Sequence, residues 1–216
     1  MTEDQFPVQS IEELNKELKS FLEPDHNLKM PSNATCYTII GNTSGSREQL
    51  LINEIINKIP PFMKVFIVFE NSFHACSEFV RNNFSHPVEK VISLDEIGGV
   101  KGGIINLDWT IPSRLKTLLM LIEQMGDDCV ICLATGSNAD GQVKERLNMV
   151  AHISNKIVIS VNKQDDWSLC PAFHLAHVEG MQRANFALWE KINLDEGYQY
   201  NLTVLSCEEM KQLDIS

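Results

Sequence analysis

Thr35-Cys-Tyr-Thr-Ile-Ile-Gly41-Asn-Thr-Ser-Gly-Ser46-Arg-Glu-Gln-Leu-Leu51 is the stretch that decides how this chain is read. Residues 35–40 are β-branched, aromatic and apolar on both alternating positions, which predicts a strand buried on both faces. Gly41 to Ser46 is a tight turn. Ser46-Arg-Glu-Gln49 has the spacing of a capping box, in which the first hydroxyl and the fourth side chain satisfy the open N–H groups of a helix start. The helix it opens places Leu50, Leu51, Ile55 and Ile59 inward and ends at Pro60-Pro61. Strand, turn and helix in that order form half of a βαβ unit.

The pattern repeats outward. Lys64–Glu70 is a second strand, Ser72–Phe84 a helix, and Val88–Leu94 a third strand running into Asp95-Glu96. The Gly-rich segment 97–111 encloses a short strand at Ile104–Leu107. Pro112 to Met125 reads as a helix, with proline at its first position and Gly126 as its stop. Cys129–Ala134 is a fourth strand and Thr135-Gly-Ser-Asn138 begins its loop. A helix over 142–153 leads to a fifth strand at Ile157–Val161, and residues 198–205 alternate like a late edge strand. Upstream, Ser10-Ile-Glu-Glu13 caps a short helix carrying Ile11, Leu14, Leu18 and Phe21, and 23–34 is a linker. Strands alternating with helices predict an α/β three-layer sandwich around a mainly parallel sheet of five or more strands. The expected organisation is an N-terminal helix and linker over 1–34 and one domain over 35–216, with 163–216 an extension on the sheet edge.

Ligands of such sheets bind at the carboxyl ends of the strands, where the loops 41–48, 95–103 and 135–141 fall. Gly41 to Glu48 has the position of a phosphate-binding loop, whose N–H groups cradle phosphate while a Lys reaches the β/γ-phosphates and a hydroxyl holds Mg²⁺. Gly41, Ser44, Gly45, Ser46, Arg47 and Glu48 are its candidate residues. Ser46 stands where the second Gly belongs, Arg47 for the Lys, and Glu48 for the Ser or Thr. Arg pairs with phosphate through a longer, wider fork than an ammonium, and Glu48 brings negative charge to the metal position. Asp95 and Glu96 are the candidate catalytic acids, one ordering a metal's water shell and one polarising the attacking water. Thr135 and Asn138 are candidates for contact with a γ-phosphate or another nucleotide. Each of these stretches also reads as an ordinary strand–loop transition.

The remaining patterns are bland. Cys129 and Cys132 point to opposite faces of a strand and cannot share a metal. Cys170, His174, His177 and Glu179 have ligand-like spacing without a second cluster, so no metal site is expected. Six scattered cysteines and a polar, acidic N-terminus predict a reducing cytoplasmic or nuclear setting, with neither secretion nor a membrane segment. Net charge is −11, which argues against tight nucleic-acid binding by the chain alone, because that affinity comes from Lys and Arg neutralising phosphates. Trp167, Phe173, Phe186, Trp189, Tyr198 and Tyr200 crowd the last fifty residues. A short helix over Ala184–Ile192 would put Phe186 and Trp189 on one face, exposed for a second copy or a different protein to cover.

Together, TIIGNTSGSREQLL, KVFIVFE, VISLDE, CVICLA and NKIVISV resemble the core of additional-strand P-loop NTPases of the FtsK–HerA and RecA-like branches, including adenovirus-type DNA-packaging ATPases. There an Asp-Glu strand is followed by a Gly-rich segment and a Pro-Ser-[KR]-Leu helix start, here Asp95-Glu96-Ile-Gly-Gly-Val-Lys-Gly and Pro112-Ser-Arg-Leu115. The resemblance covers 35–162. It implies a RecA-like fold, ATP with Mg²⁺ as cofactor, Asn138 as a sensor, and Arg146 or Arg183 as an arginine acting on a neighbouring subunit. With the loop altered at 46–48, it implies a pseudo-ATPase: a non-hydrolysing subunit of a DNA packaging or translocation assembly, touching nucleic acid only indirectly. Two alternatives stand beside it. A Rossmann-like CARF domain would bind cyclic oligoadenylate at Thr135-Gly136, and a plain interaction domain would bind no ligand. Strand order separates them: the additional-strand order puts strand 129–134 between 35–40 and 88–94, whereas a flavodoxin-like order does not.

Overall fold

The computed structural model of the chain describes residues 28–41, 46–70, 88, 91–136, 143–162 and 184–213. The strands are β1 (Ala34–Gly41), β2 (Lys64–Phe69), β3 (Val91–Ile92), β4 (Gly102–Asn106), β5 (Cys129–Gly136), β6 (Lys156–Asn162), β7 (Ala184–Leu194) and β8 (Gly197–Ser206). The helices are α1 (Ser46–Ile56), α2 (Pro112–Met125), α3 (Val143–Ile153) and α4 (Cys207–Leu213), with a 3₁₀ helix at Leu94–Gly99. The strands form one eight-stranded sheet in the order β3-β4-β2-β5-β1-β6-β7-β8. Every neighbouring pair is parallel except the β7–β8 hairpin.

Side chains alternate between two cores, one on each face. Along β5, Cys129, Ile131 and Leu133 enter the first core, while Val130, Cys132 and Ala134 enter the second. The two cysteines therefore lie on opposite faces, as their spacing requires. α2 supplies Leu115, Leu118, Leu119 and Ile122 to the first core, and α3 supplies Leu147, Val150 and Ile153. α1 covers the second face with Leu51, Ile52 and Ile56; the buried stripe runs through 52 and 56, with Ile55 only half-buried. Each such aliphatic side chain contributes roughly 1.5–3 kcal/mol by leaving water. Helices on both faces of a mainly parallel sheet are what the alternating pattern predicted.

The helix assignments follow local chemistry. α2 starts on Pro112 and stops at Gly126, whose left-handed φ of 73° suits a residue without a Cβ. The Asn33 side chain donates to the carbonyls of Ile122 (3.2 Å) and Asp127 (2.9 Å), closing the end of α2 against the start of β1.

Two expectations are corrected. Residues 184–194 are not a helix but the long strand β7, so Phe186 and Trp189 project to opposite faces. Both are buried, at 0% and 3% exposure, and the Trp189 indole N–H donates to the Ser160 hydroxyl at 2.9 Å. Trp189 is core and offers no patch to a partner. The third strand is also shorter than expected. Among the described residues of 88–94 only Val91–Ile92 pair, and Ser93 begins a turn of 3₁₀ helix in which the Glu96 carboxylate accepts from the Ser93 N–H (2.9 Å) and hydroxyl (3.0 Å).

The expected helices over 10–21 and 72–84 lie outside the described residues. Among the described residues, no helix is long and apolar enough to cross a membrane.

Candidate functional site at the carboxyl ends of the central strands

The path of the chain sets a topological switch point, the crevice position of open α/β sheets. From β1 it runs through α1 on the second face to β2, toward the β3 edge. From β4 through α2 to β5, and from β5 through α3 to β6, it runs on the first face in the opposite direction. Right-handed crossovers force this exchange of faces whenever the direction reverses. β1 and β5 are neighbours whose following helices lie on opposite faces, which makes their carboxyl ends the switch point at which open α/β sheets bind ligands.

Glycine ends both strands at that point. Gly41 ends β1 and is the register partner of Gly136, which ends β5. Two adjacent strands roughly 4.8 Å apart thus present bare backbone at their ends. On the other side of β1, Gly41 pairs with Ser160 of β6.

One strand further, the Thr135 hydroxyl donates to the Glu70 carboxylate. Thr135 is fully buried and Glu70 half-buried at the end of β2. The Glu70 N–H and the Trp109 indole N–H both donate to the Ala134 carbonyl, at 3.3 and 3.1 Å. Leu107 N–H donates to the Phe69 carbonyl at 2.9 Å. Trp109, fully buried, thereby fastens the segment after β4 to the ends of β2 and β5. Asp108 accepts from the Thr110 hydroxyl at 2.5 Å and lies 4.0 Å from the Arg114 guanidinium, so the first turn of α2 is tied to the same end.

Of the residues singled out in the sequence, Gly41 and Thr135 come together here. Ser46, Arg47 and Glu48 form the first turn of α1, and Arg146 sits in the first turn of α3. Ser44, Gly45, Asn138 and Arg183 lie outside the described residues, as do Cys170, His174, His177 and Glu179. Asp95 and Glu96 are elsewhere. They follow the edge strand β3, separated from β1 by β4, β2 and β5, four strand spacings or roughly 19 Å. Asp95 is exposed, and Glu96 is held by its own capping box. Among the described residues, Glu70 is an acid at the carboxyl end of β2, beside β5, and the sequence reading passed over it. Its signal was present: KVFIVFE is an apolar strand ending in a carboxylate, like VISLDE but longer.

The buried thiols are inert by environment. Burial pushes Cys36 up to about 12, against the lowering effect of hydrogen bonds with Ser154 and Thr38. Burial, then the Asp128 carboxylate, pushes Cys129 up to about 12, and burial raises Cys132 as well. Among the described residues, no three His, Cys, Asp or Glu side chains converge on a metal-sized site. A cavity of about 240 Å³ lies between α1 and the sheet, beside Tyr37, Lys58, Lys156 and Val204. Its lining includes Lys156 at the amino end of β6 and none of Gly41, Gly136 or Thr135.

Comparison with known proteins adds no relative: no protein-family model, no curated protein and no solved structure matches the chain.

Proposed function

We propose that the crevice between β1 and β5 takes the phosphates of a nucleotide, and that the chain binds this nucleotide without hydrolysing it. The observation that carries the reading is the in-register pair Gly41–Gly136 at the point where neighbouring strands turn to opposite faces. Bare backbone lets a phosphate approach closely, and the first turn of α1, which follows β1, supplies open N–H groups and the positive end of a helix dipole.

The strand order favours the additional-strand reading over the flavodoxin-like one, because β5 stands between β1 and all strands toward the β3 edge. The departure is that β2, not the Asp95-Glu96 strand, is the next neighbour. Hydrolysis is disfavoured on two counts. Glu48 stands where the metal-binding hydroxyl belongs, and Asp95 and Glu96 are four strands from β1. Glu70 is close enough to the crevice to order a metal's water, but Thr135 engages it. By resemblance, such a chain serves as a non-hydrolysing subunit of a nucleic-acid-handling assembly, and its −11 charge fits contact with nucleic acid through other subunits.

The test is thermal unfolding with Mg-ATP, Mg-ADP and a cyclic oligoadenylate, alongside phosphate release. ATP or ADP should raise Tm, since a ligand of the folded state stabilises it by mass action. Gly136→Val should abolish the shift by filling the crevice, and no phosphate should appear. A shift with cyclic oligoadenylate alone, no shift with millimolar ATP, or turnover lost in Glu70→Gln would each overturn the proposal.

A further inference from the structure

The cavity of about 240 Å³ between α1 and the sheet is built like a ligand site. Its floor is apolar and buried. Leu51 from α1, Ile59 just after that helix and Val158 from β6 are 3%, 9% and 2% exposed. Its rim is polar and reaches solvent, with Lys58 exposed and Tyr37 and Lys156 half-buried. An apolar floor beneath a few convergent polar groups is the usual anatomy of a small-molecule site.

The backbone explains why the polar groups converge. Tyr37 of β1 and Lys156 of β6 are register partners on adjacent parallel strands, so their side chains rise from one face, with the strands roughly 4.8 Å apart. That face is the second. Tyr37 packs against its core, and Val158, two residues beyond Lys156, is buried in it. Lys58 comes from the helix side, two residues past the end of α1. Two ammonium groups and a phenol thus border one opening, and all three can donate. Among the described residues, no hydrogen bond or ion pair engages any of these three head groups. The Glu54 carboxylate shares the lining but pairs with neither lysine.

We infer that this cavity binds a small amphipathic carboxylate. Its apolar body rests on Leu51, Ile59 and Val158, and its carboxylate lies between Lys58, Lys156 and the Tyr37 hydroxyl. Charge supports the choice of an anion. The chain as a whole is at −11, whereas two cations face one carboxylate here, a local reversal of sign. Apolar walls around such a spot concentrate its field on an incoming anion, and bonds from an ammonium to a carboxylate are among the strong ones. Size supports a small body, because the volume falls just under the roughly 300–1,000 Å³ of drug-sized sites. A charged head without a body forgoes the floor. A body without charge leaves both ammonium groups unanswered.

Calorimetric titration of the full chain with octanoate, octan-1-ol and acetate tests this. Octanoate should bind one per chain, at least about tenfold more tightly than octan-1-ol or acetate. Its Kd should rise between 50 and 500 mM NaCl, because salt screens charges near the surface. Lys156→Met keeps the apolar stem and drops the charge, and should raise Kd at least about tenfold. Lys156→Arg should stay within about threefold of the wild type, since a guanidinium also holds a carboxylate. Val204 lines the rim and is 45% exposed, so Val204→Trp fills the opening without disturbing the core. It should leave Tm near that of the wild type and raise Kd at least about tenfold. No binding at 10 mM octanoate overturns the inference. So does octan-1-ol binding as tightly as octanoate, or Lys156→Met and Val204→Trp both binding like the wild type.

Discussion

The Thr135 hydroxyl donates to the Glu70 carboxylate across the boundary between β5 and β2. A hydrogen bond to a charged acceptor contributes about 1.5–3 kcal/mol, and its loss leaves a half-buried carboxylate short of a donor. Thr135→Val keeps the shape and deletes the donor, and is expected to cost about 1–3 kcal/mol in urea unfolding. Glu70→Gln keeps an acceptor and should cost less than about 1 kcal/mol. Equal losses in the two variants would place the stabilisation in packing.

Trp109 offers a second check at the same end of the sheet. Its ring is fully buried and its N–H holds the Ala134 carbonyl. Trp109→Phe removes that bond and leaves a partial cavity, for a combined cost of about 2–4 kcal/mol. Trp189→Ala is expected to cost about 3–5 kcal/mol as a core truncation, with no effect on association beyond that of unfolding.

Gly102 and Gly103 of β4 should respond differently to alanine. A Cβ at 102 would lie 2.7 Å from the Val65 backbone carbonyl, which the β2–β4 pairing holds in place. A Cβ at 103 meets the Cδ1 and Cγ1 of Ile92 at 2.6 and 2.7 Å, side-chain atoms on the edge strand that can shift more readily than a paired backbone carbonyl. Gly102→Ala is expected to lower Tm by several degrees more than Gly103→Ala, as read by differential scanning calorimetry.

The thiols predict a pH dependence. The folded state holds Cys36 and Cys129 near 12, whereas the ordinary value is 9.0. Below pH 9 both states keep the proton and stability is unaffected. Between 9 and 12 the unfolded chain releases protons that the folded chain retains, so stability falls by up to about 1.4 kcal/mol per pH unit for each thiol. Urea midpoints should drop from pH 8 to 10, and Cys36→Ala should flatten the slope. Native Cys36, Cys129 and Cys132 should resist alkylation at pH 8, as followed by mass spectrometry.

What the sequence disclosed depended on whether the signal was local. α2 was legible to the residue because Pro112 and Gly126 act through their own backbone angles. β1, β2 and β5 were legible from runs of β-branched residues. β7 was not, because its first half, ANFALW, is buried on both faces and loses the period-2 alternation that marks a strand. The spacing of Phe186 and Trp189 then suited a helix equally well. Ser93-Leu-Asp-Glu96 carried the same capping-box signature used to start α1, but the apolar run before it suggested a strand. Glu70 was missed because its significance comes from its neighbour β5, and strand neighbours are fixed by contacts far apart in sequence.

The central position of β1 governs how the molecule must assemble. Its two partners are β5 and β6, so Ala34 waits for Cys129, and Tyr37 for Lys156. A nascent chain that has reached Gly126 already holds β2 and β4, which pair with each other, but it offers β1 no neighbour. Contacts this distant along the chain close slowly, and an apolar strand left waiting is exposed to aggregation and to capture by chaperones. The first of the described strands therefore waits, after β2 and β4 have paired, until β5 is made. Substitutions that delay β5 should reduce the yield of folded protein from cells at high temperature, even where the purified product is as stable as the wild type.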